Sequence, residues 1–170
     1  MSARTKARKR ALDILFEAEI RGEPVLALLE ERAAQASPPV SAYASELVRG
    51  VQAHRTSIDE VLAKNATGWT LERMPAVDRN ILRIGAYELL WGSGVPEGVA
   101  ISEAVLLARD LSTDASPAFI NGLLAVLHEL WPMLNPQPDS AIEADAGAEP
   151  EAGTEPEAGT EPEAAGKPGE

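Results

Sequence analysis

Five cationic side chains stand within the first ten residues of the chain, in a segment that contains no acid. They are Arg4, Lys6, Arg8, Lys9 and Arg10. Clustered cations suit the phosphates of a nucleic acid, because each neutralised phosphate releases condensed counterions. Basic arms also keep chains in solution or act as targeting signals, so the run alone leaves these roles open beside nucleic-acid binding.

Phe16 adds an aromatic ring to the same segment. It falls opposite the predicted core stripe and on the same helical face as Lys9, an arrangement that suits base stacking beside a phosphate. The alternative is that Leu12, Phe16 and Ile20 form a second buried stripe beneath another helix. The core stripe itself is predicted from five apolar residues at helical spacing: Ala7, Ala11, Ile14, Leu15 and Ala18.

A second candidate surface lies in a helix predicted over residues 75–91. Arg79, Arg83 and Tyr87 recur every four residues there, and two guanidinium groups with a phenol suit phosphate contact and stacking. The alternative is an ordinary solvated face. Glu88 falls instead on the apolar side, and because a buried carboxylate needs a partner, we expect it to be a structural hydrogen-bond anchor.

The sequence contains little that would support catalysis or metal binding. The chain has no cysteine, and its two histidines, His54 and His128, exclude a His-rich metal site. His54 lies near Ser57 and Asp59, but a triad needs a positioned base and nucleophile, and we interpret His54 as a polar residue at a helix end. The adjacent carboxylates Asp59 and Glu60 point to different sides of a helix, so we expect both to be solvated. Without a phosphate-binding loop, an HExxH motif or a nucleophile elbow, we predict neither an enzyme nor a bound cofactor or metal.

Periodicity predicts an all-helical body. No segment shows the two-residue alternation of a β-strand, whereas apolar residues recur at helical spacing. Glycines and prolines mark the ends of the helical segments. The predicted helices number seven and cover residues 4–20, 24–35, 41–52, 57–66, 75–91, 99–111 and 117–131.

The net charge of −12 is distributed unevenly. Residues 135–170 hold ten acids and one base and repeat the motif EPEAGT, whereas residues 1–134 hold 17 acids and 14 bases. A segment so poor in apolar residues cannot offset its ordering entropy. We therefore predict a helical domain over 1–134 and a disordered acidic tail over 135–170. The tail is interpreted as a solubilising segment, and the alternative is that it folds back onto the basic N-terminus and competes with RNA.

No apolar run approaches the ~18–20 residues that a membrane span needs. The basic N-terminus has no apolar signal-peptide core behind it. The sequence therefore predicts a cytoplasmic protein without membrane contact.

The order and spacing of several segments resemble the NusB family of bacterial transcription antitermination factors. The blocks LRIGAYEL, VAISEAV and FINGLL are the most specific part of the match, which extends from residue 4 to the end of the last predicted helix. The matching segments are RTKARKRALDILFEAE, ASELVRGV, IDEVL, VDRNILRIGAYELL, VPEGVAISEAVLLARDL and FINGLLAVL.

The resemblance implies an all-α fold of two perpendicular three-helix bundles and RNA binding without catalysis. It implies binding to boxA, a short single-stranded element in nascent ribosomal RNA leaders. It also implies a heterodimer with NusE, the ribosomal small-subunit protein that doubles as a transcription factor. Such a complex helps RNA polymerase to pass terminators.

The resemblance assigns the RNA surface to the five N-terminal cations, to the aromatic of the first helix, Phe16, and to the aromatic of the FINGLL block, Phe119. Arg79 and Arg83 are further RNA candidates, as their helical spacing already indicated. For NusE, the family uses acids around the start of the fifth helix. These correspond to Asp78 and Glu72, and acids there would complement a basic partner.

Two departures from the family pattern qualify these assignments. The N-terminal run mixes lysine with arginine, and lysine lacks the bidentate fork, so we expect modest affinity for RNA alone. Pro117 stands where the family often has a longer polar residue.

Two alternative functions are considered beside RNA binding in antitermination. Some ribosomal RNA cytosine methyltransferases begin with a NusB-like domain, but their catalytic cysteine has no counterpart here. A helical module that binds NusE or another protein, without specific RNA recognition, stays open as the alternative. The sequence is compatible with a monomer or a homodimer.

Overall fold

Seven α-helices form the body of the protein in this computed structural model, which describes residues 1–35, 37–92 and 94–134. A single 3-10 turn, Leu71–Arg73, precedes the fifth helix, and no strand occurs within the described residues. Every predicted helix is present, with ends within three residues of those predicted. The helices are α1 Ala3–Arg21, α2 Val25–Ala34, α3 Ala42–Ala53, α4 Arg55–Asn65, α5 Ala76–Leu90, α6 Glu97–Leu111 and α7 Ser116–Leu134.

Local capping explains where α1 begins and ends. The Ser2 hydroxyl accepts a hydrogen bond from the Thr5 backbone N–H at 3.0 Å, which satisfies one of the free donors of the first turn. At the other end Gly22 adopts a left-handed conformation with φ of 64°, and its N–H bonds back to the Ala18 and Glu19 carbonyls. Because glycine has no Cβ, it closes a helix in this way without steric cost.

The helices pack as two sets of three. α1, α2 and α3 contact one another pairwise, and so do α5, α6 and α7, while α4 packs on α3, α5 and α7. α5 also contacts α1 and α3, so it joins the two sets. The predicted all-α fold class is confirmed. The fully buried apolar side chains that join the sets include Leu47, Val48, Val51, Ile58, Leu62, Ile81, Leu82, Ile120, Leu124 and Leu127.

The central position of α5 leaves it almost no free face. Ten of its 15 residues are buried, and four of these are polar or charged: Asp78, Asn80, Arg83 and Glu88. Polar groups in such positions need partners, because an unpaired buried donor or acceptor costs about 1–3 kcal/mol. The partners come from other helices and decide which charges remain available to solvent.

The sequence predicts that His54 lies at a helix end. His54 lies at the junction of α3 and α4 and stacks on Trp91, with ring centroids 4.7 Å apart, which confirms its position at a helix end. None of the described helices has the length and apolar character needed to cross a membrane.

The predicted acidic tail, residues 135–170, lies outside the described residues, so its disorder and the domain boundary stay predictions.

Candidate nucleic-acid interface

The N-terminal half of α1 carries cations in three different environments. Arg4 and Lys6 are exposed on its first two turns. Lys9 is 43 % exposed and pairs with Asp13, one turn further on, at 3.1 Å. Arg10 is half-buried and donates from Nη2 to the Pro38 carbonyl at 3.3 Å. Arg4 and Lys6 therefore offer the most accessible positive charge for a phosphate.

Arg4 is held against an aromatic ring. Its Cζ atom lies 5.2 Å from the ring centroid of Tyr43, which stands in the first turn of α3. This separation is within the range of a cation–π contact. Tyr43 was not among the residues selected from the sequence. A useful signal was present, since a tyrosine hydroxyl on an apolar stripe needs a hydrogen-bond partner, just as Glu88 does.

Arg8, predicted to bind RNA, is instead buried, with 2 % of its side chain exposed. Its Nε donates to both carboxylate oxygens of Glu88 at 3.0 Å, and its Nη1 lies 3.4 Å from Glu103. Burial opposes the charged form of Arg8, but the hydrogen bond to Glu88 and the nearby charges of Glu88 and Glu103 together outweigh it and raise the pKa of Arg8. Arg8 therefore fixes α1 against α5 and α6, and Glu88 is the structural anchor that its position predicted.

Arg8 is buried because α1 is covered on more than one side. Thr5, which projects opposite the core stripe, is also buried and donates its hydroxyl proton to Glu103 at 3.2 Å. Leu12 is buried, Phe16 is half-buried and Ile20 is 64 % exposed. The stripe of Leu12, Phe16 and Ile20 is therefore neither fully buried nor fully exposed, because the exposed fraction increases from Leu12 to Ile20. Phe16 keeps a partly accessible ring.

Arg79 and Arg83 form a second enclosed charge cluster rather than a free surface. Arg83 is 4 % exposed and donates to Asp59 at 2.8 Å and to Glu19 at 3.0 Å. Arg79 also pairs with Glu19 and donates to the Met74 carbonyl at 3.1 Å. The expectation that Asp59 is simply solvated is wrong, because its carboxylate is the partner of Arg83. Neither the predicted RNA-facing stripe nor an ordinary solvated face describes these arginines.

Glu19 is the acid that binds this cluster to α1. Burial opposes its ionisation, but hydrogen bonds from Arg79 and Asn80, together with the charges of Arg79 and Arg83, outweigh that effect and lower the pKa of Glu19. Glu19 is therefore ionised at neutral pH, and its carboxylate connects α1 to α5. Through Arg83 and Asp59 the connection extends to α4.

The two acids predicted to bind a partner differ in accessibility. Glu72 is exposed in the 3-10 turn. Asp78 is 4 % exposed and accepts hydrogen bonds from the hydroxyls of Ser112 and Ser116, the latter at 2.7 Å. Asp78 thus fixes the turn between α6 and α7, and only Glu72 is free to meet a partner in this conformation.

Phe119, in the first turns of α7, borders a surface pocket of about 130 Å³. The walls also include Trp69, which is 52 % exposed, and the pocket is mostly apolar. A pocket with aromatic walls suits a planar ring or an apolar side chain. Sequence reasoning selected Phe119 and missed Trp69, whose isolated position in a loop gave no periodic signal. The lining residues are Trp69, Met74, Pro75, Asp78, Thr113, Ala115, Ser116 and Phe119.

Comparison with known proteins adds an independent line of evidence. The model of the NusB family matches residues 5–129. The chain is 56 % identical over 133 residues to the transcription antitermination protein NusB of Thermobifida fusca, covering 78 % of this chain and 94 % of that protein. It is 57 % identical over 134 residues to the transcription antitermination protein NusB of an Arthrobacter species, covering 79 % of this chain and 98 % of that protein.

Solved structures agree with these sequence relatives. T. maritima NusB superposes with a TM-score of 0.67 at 30 % identity, covering 76 % of this chain and 92 % of that one. A crystal structure of the antitermination factors NusB and NusE in complex with double-stranded RNA superposes with a TM-score of 0.66 at 25 % identity, covering 75 % and 97 %. The family match over residues 5–129 includes residues of all seven helices, and the chain belongs to the NusB family.

Proposed function

We propose that this protein is a transcription antitermination factor that binds boxA RNA of nascent ribosomal RNA transcripts together with NusE. In this role it helps RNA polymerase to read through terminators. It acts by binding, without catalysis or a cofactor. Because it acts on transcripts as they are made, we expect it to work in the cytoplasm, where bacterial transcription occurs. The observation that carries the proposal is the 56 % identity, over 94 % of its length, to a relative named transcription antitermination protein NusB.

The geometry of α1 supports an RNA surface smaller than the sequence predicts. We assign RNA contact to Arg4, Lys6, Lys9 and Arg10. Arg10 already donates one hydrogen bond within the protein, to the Pro38 carbonyl. Their side chains occupy the first turns of one helix, where several phosphates of a single strand lie within reach. The partly accessible ring of Phe16 extends this surface as a stacking platform.

A second RNA contact is proposed at Phe119. Its pocket is bordered by the exposed ring of Trp69, so an unstacked base has two aromatic faces to meet. Arg8, Arg79 and Arg83 are left out of the RNA surface, because their charges are already neutralised by carboxylates inside the protein. We assign these three arginines to the framework that holds the surface in place.

NusE recognition is proposed at the exposed acid Glu72. A basic partner gains encounter rate and orientation from a complementary charge at the rim of an interface. Asp78 contributes by holding the adjacent turn between α6 and α7 through Ser112 and Ser116. Glu72→Ala is therefore expected to weaken NusE binding without unfolding the protein, whereas Asp78→Asn is expected to lower stability.

Fluorescence anisotropy with labelled boxA RNA tests the proposed function. Scrambled single-stranded RNA and a duplex of the same sequence are the controls, each measured at two salt concentrations with and without NusE. Preference for single-stranded boxA, strengthened by NusE, is the expected result. Equal and strongly salt-dependent binding to all three RNAs would reject specific recognition. If NusE still bound, the alternative of a helical protein-binding module would replace the proposal.

A further inference from the structure

Two guanidinium groups from successive turns of α1 lie close to the ring of Tyr43. The Cζ atom of Arg4 is 5.2 Å from the centroid of the tyrosine ring, and that of Arg8 is 5.6 Å away. The two arginines differ in every other respect. Arg4 is exposed, and no ion pair joins it to a carboxylate in the part of the chain that the structure describes, whereas Arg8 is buried against Glu88.

The ring of Tyr43 is anchored from the inside. Its hydroxyl donates to Glu88 and accepts a hydrogen bond from Nη2 of Arg8 at 3.4 Å. Burial, together with the nearby Glu88 carboxylate, raises the pKa of Tyr43, so the hydroxyl keeps its proton and remains a donor. Since Glu88 is 2 % exposed and belongs to the central helix α5, displacing the ring would break its hydrogen bonds to two buried side chains.

This anchoring has a consequence for the exposed arginine. A free arginine side chain samples many rotamers, and fixing one of them on binding costs affinity. A guanidinium held by its flat face keeps its N–H edges directed outwards, and these edges match the oxygens of a phosphate. Lys9 is instead paired with Asp13 and Arg10 donates to the Pro38 carbonyl, so part of the hydrogen-bonding capacity of each is already used within the protein.

We infer that Tyr43 is a positioning residue for RNA recognition, which holds the guanidinium of Arg4 ready for a phosphate while Glu88 and Arg8 hold Tyr43. The inference rests on the proposed function and extends it to a residue of α3 that contacts RNA only through Arg4. It also gives the buried ion pair a second role. The pair stabilises the fold and fixes the ring that orders the RNA surface.

A double-mutant cycle on RNA affinity tests the inference. Arg4→Ala, Tyr43→Leu and the double variant are compared with the wild type by anisotropy with boxA RNA. Each single change is expected to weaken binding about three- to tenfold, as for a partly desolvated cation–π contact. The double variant is expected to bind no more weakly than Arg4→Ala alone. Effects that multiply independently, or a Tyr43→Leu variant with wild-type affinity, would overturn the inference.

Two further variants keep the test decisive if Tyr43→Leu unfolds. Tyr43→Phe retains the ring and loses only the hydroxyl bonds that anchor it, so its RNA affinity is expected to lie between those of the wild type and Tyr43→Leu, and its stability is expected to fall. Arg49→Ala removes an exposed arginine of α3 as a matched charge control and is expected to change affinity less than Arg4→Ala. Equal losses for Arg4→Ala and Arg49→Ala, or a Tyr43→Phe variant as weak as Arg4→Ala, would overturn the inference.

The wild-type measurement separates the two levels of the proposal. A wild-type protein that does not distinguish boxA from scrambled RNA contradicts the proposed function, and the positioning role of Tyr43 falls with it. A wild-type protein that prefers boxA, combined with independent effects of Arg4 and Tyr43, contradicts the positioning role alone.

Discussion

Arg8 and Glu88, 80 residues apart in the chain, form an enclosed ion pair in which Nε of the arginine lies 3.0 Å from both carboxylate oxygens. Each side chain is only 2 % exposed. The pair joins the helix that carries the basic N-terminal segment to the central helix of the fold. Stability and the presentation of the proposed RNA surface are therefore expected to depend on the same contact.

Removal of the Glu88 carboxylate is expected to be costly, because the charge of Arg8 would remain buried and would keep only the more distant of its two carboxylate partners in the described part of the chain, that of Glu103 at 3.4 Å from Nη1. Breaking one partner of a buried pair costs about 3–5 kcal/mol. Urea unfolding of Glu88→Ala measures this loss. The exposed pair of Lys9 and Asp13 is the matched control, and Asp13→Ala is expected to cost less than about 1 kcal/mol. Similar losses in the two variants would show that the Arg8–Glu88 pair is not the strong contact described here.

Arg83→Met tests the assignment of the second charge cluster to the framework. The change leaves Glu19 and Asp59 without their shared partner, so unfolding free energy is expected to fall by about 1–3 kcal/mol. RNA affinity of the folded protein is expected to stay close to the wild-type value. Circular dichroism and anisotropy on the same sample separate the two effects. A stable variant with weakened RNA binding would return Arg83 to the RNA surface.

Lys6→Ala is expected to weaken binding to boxA and scrambled RNA by a similar factor, because a phosphate contact carries no sequence information. The slope of log affinity against log salt concentration is expected to fall by about one. Titrations at four salt concentrations measure this slope. Lys64→Ala, an exposed lysine at the end of α4, is the control with an unchanged slope. An unchanged slope for Lys6→Ala would remove that residue from the interface.

Phe16→Ala separates stacking from packing. If a base stacks on its partly accessible ring, RNA affinity falls by about 1–3 kcal/mol while the helical signal in circular dichroism is retained. This is the result we expect, since Phe16 is half-buried and its neighbour Ile20 is largely exposed. Loss of the folded state, with intact RNA affinity in the fraction that remains folded, would instead place Phe16 in the core.

Acid is expected to weaken the contact between α1 and α2 at Glu17. Hydrogen bonds from Arg32, and then from Arg21, lower the pKa of Glu17 from its ordinary value of 4.5 to about 2. Because the folded state holds the lower pKa, this stabilisation is complete above pH 4.5 and is lost as the pH falls towards 2.

Glu17→Gln is expected to flatten the pH dependence of the urea midpoint between pH 4.5 and 2. Glu30→Gln, at an exposed position of the neighbouring helix α2, is the control and is expected to keep the wild-type slope. Parallel curves for wild type and Glu17→Gln over this range would rule out Glu17 as the source of the acid sensitivity.

Local signals in the sequence determined the helices and several of their ends. Apolar residues at helical spacing predict the buried stripe of α1, and Gly22 closes that helix because only a residue without Cβ adopts its backbone conformation at no cost. The structural role of Glu88 was also readable, since a carboxylate on an apolar face requires a partner. These signals depend only on residues within a few turns of one another.

Tertiary structure alone decided which arginines remain available for RNA. A helical wheel assumes one covered side, whereas α1 and α5 each contact at least three other helices. Arg8 and Arg83 therefore meet carboxylates 80 and 24 residues away and are neutralised, while Arg4 reaches solvent across the ring of Tyr43. Sequence spacing cannot reveal such pairs, because burial forces each charge to find its partner through the packing of whole helices rather than along the chain.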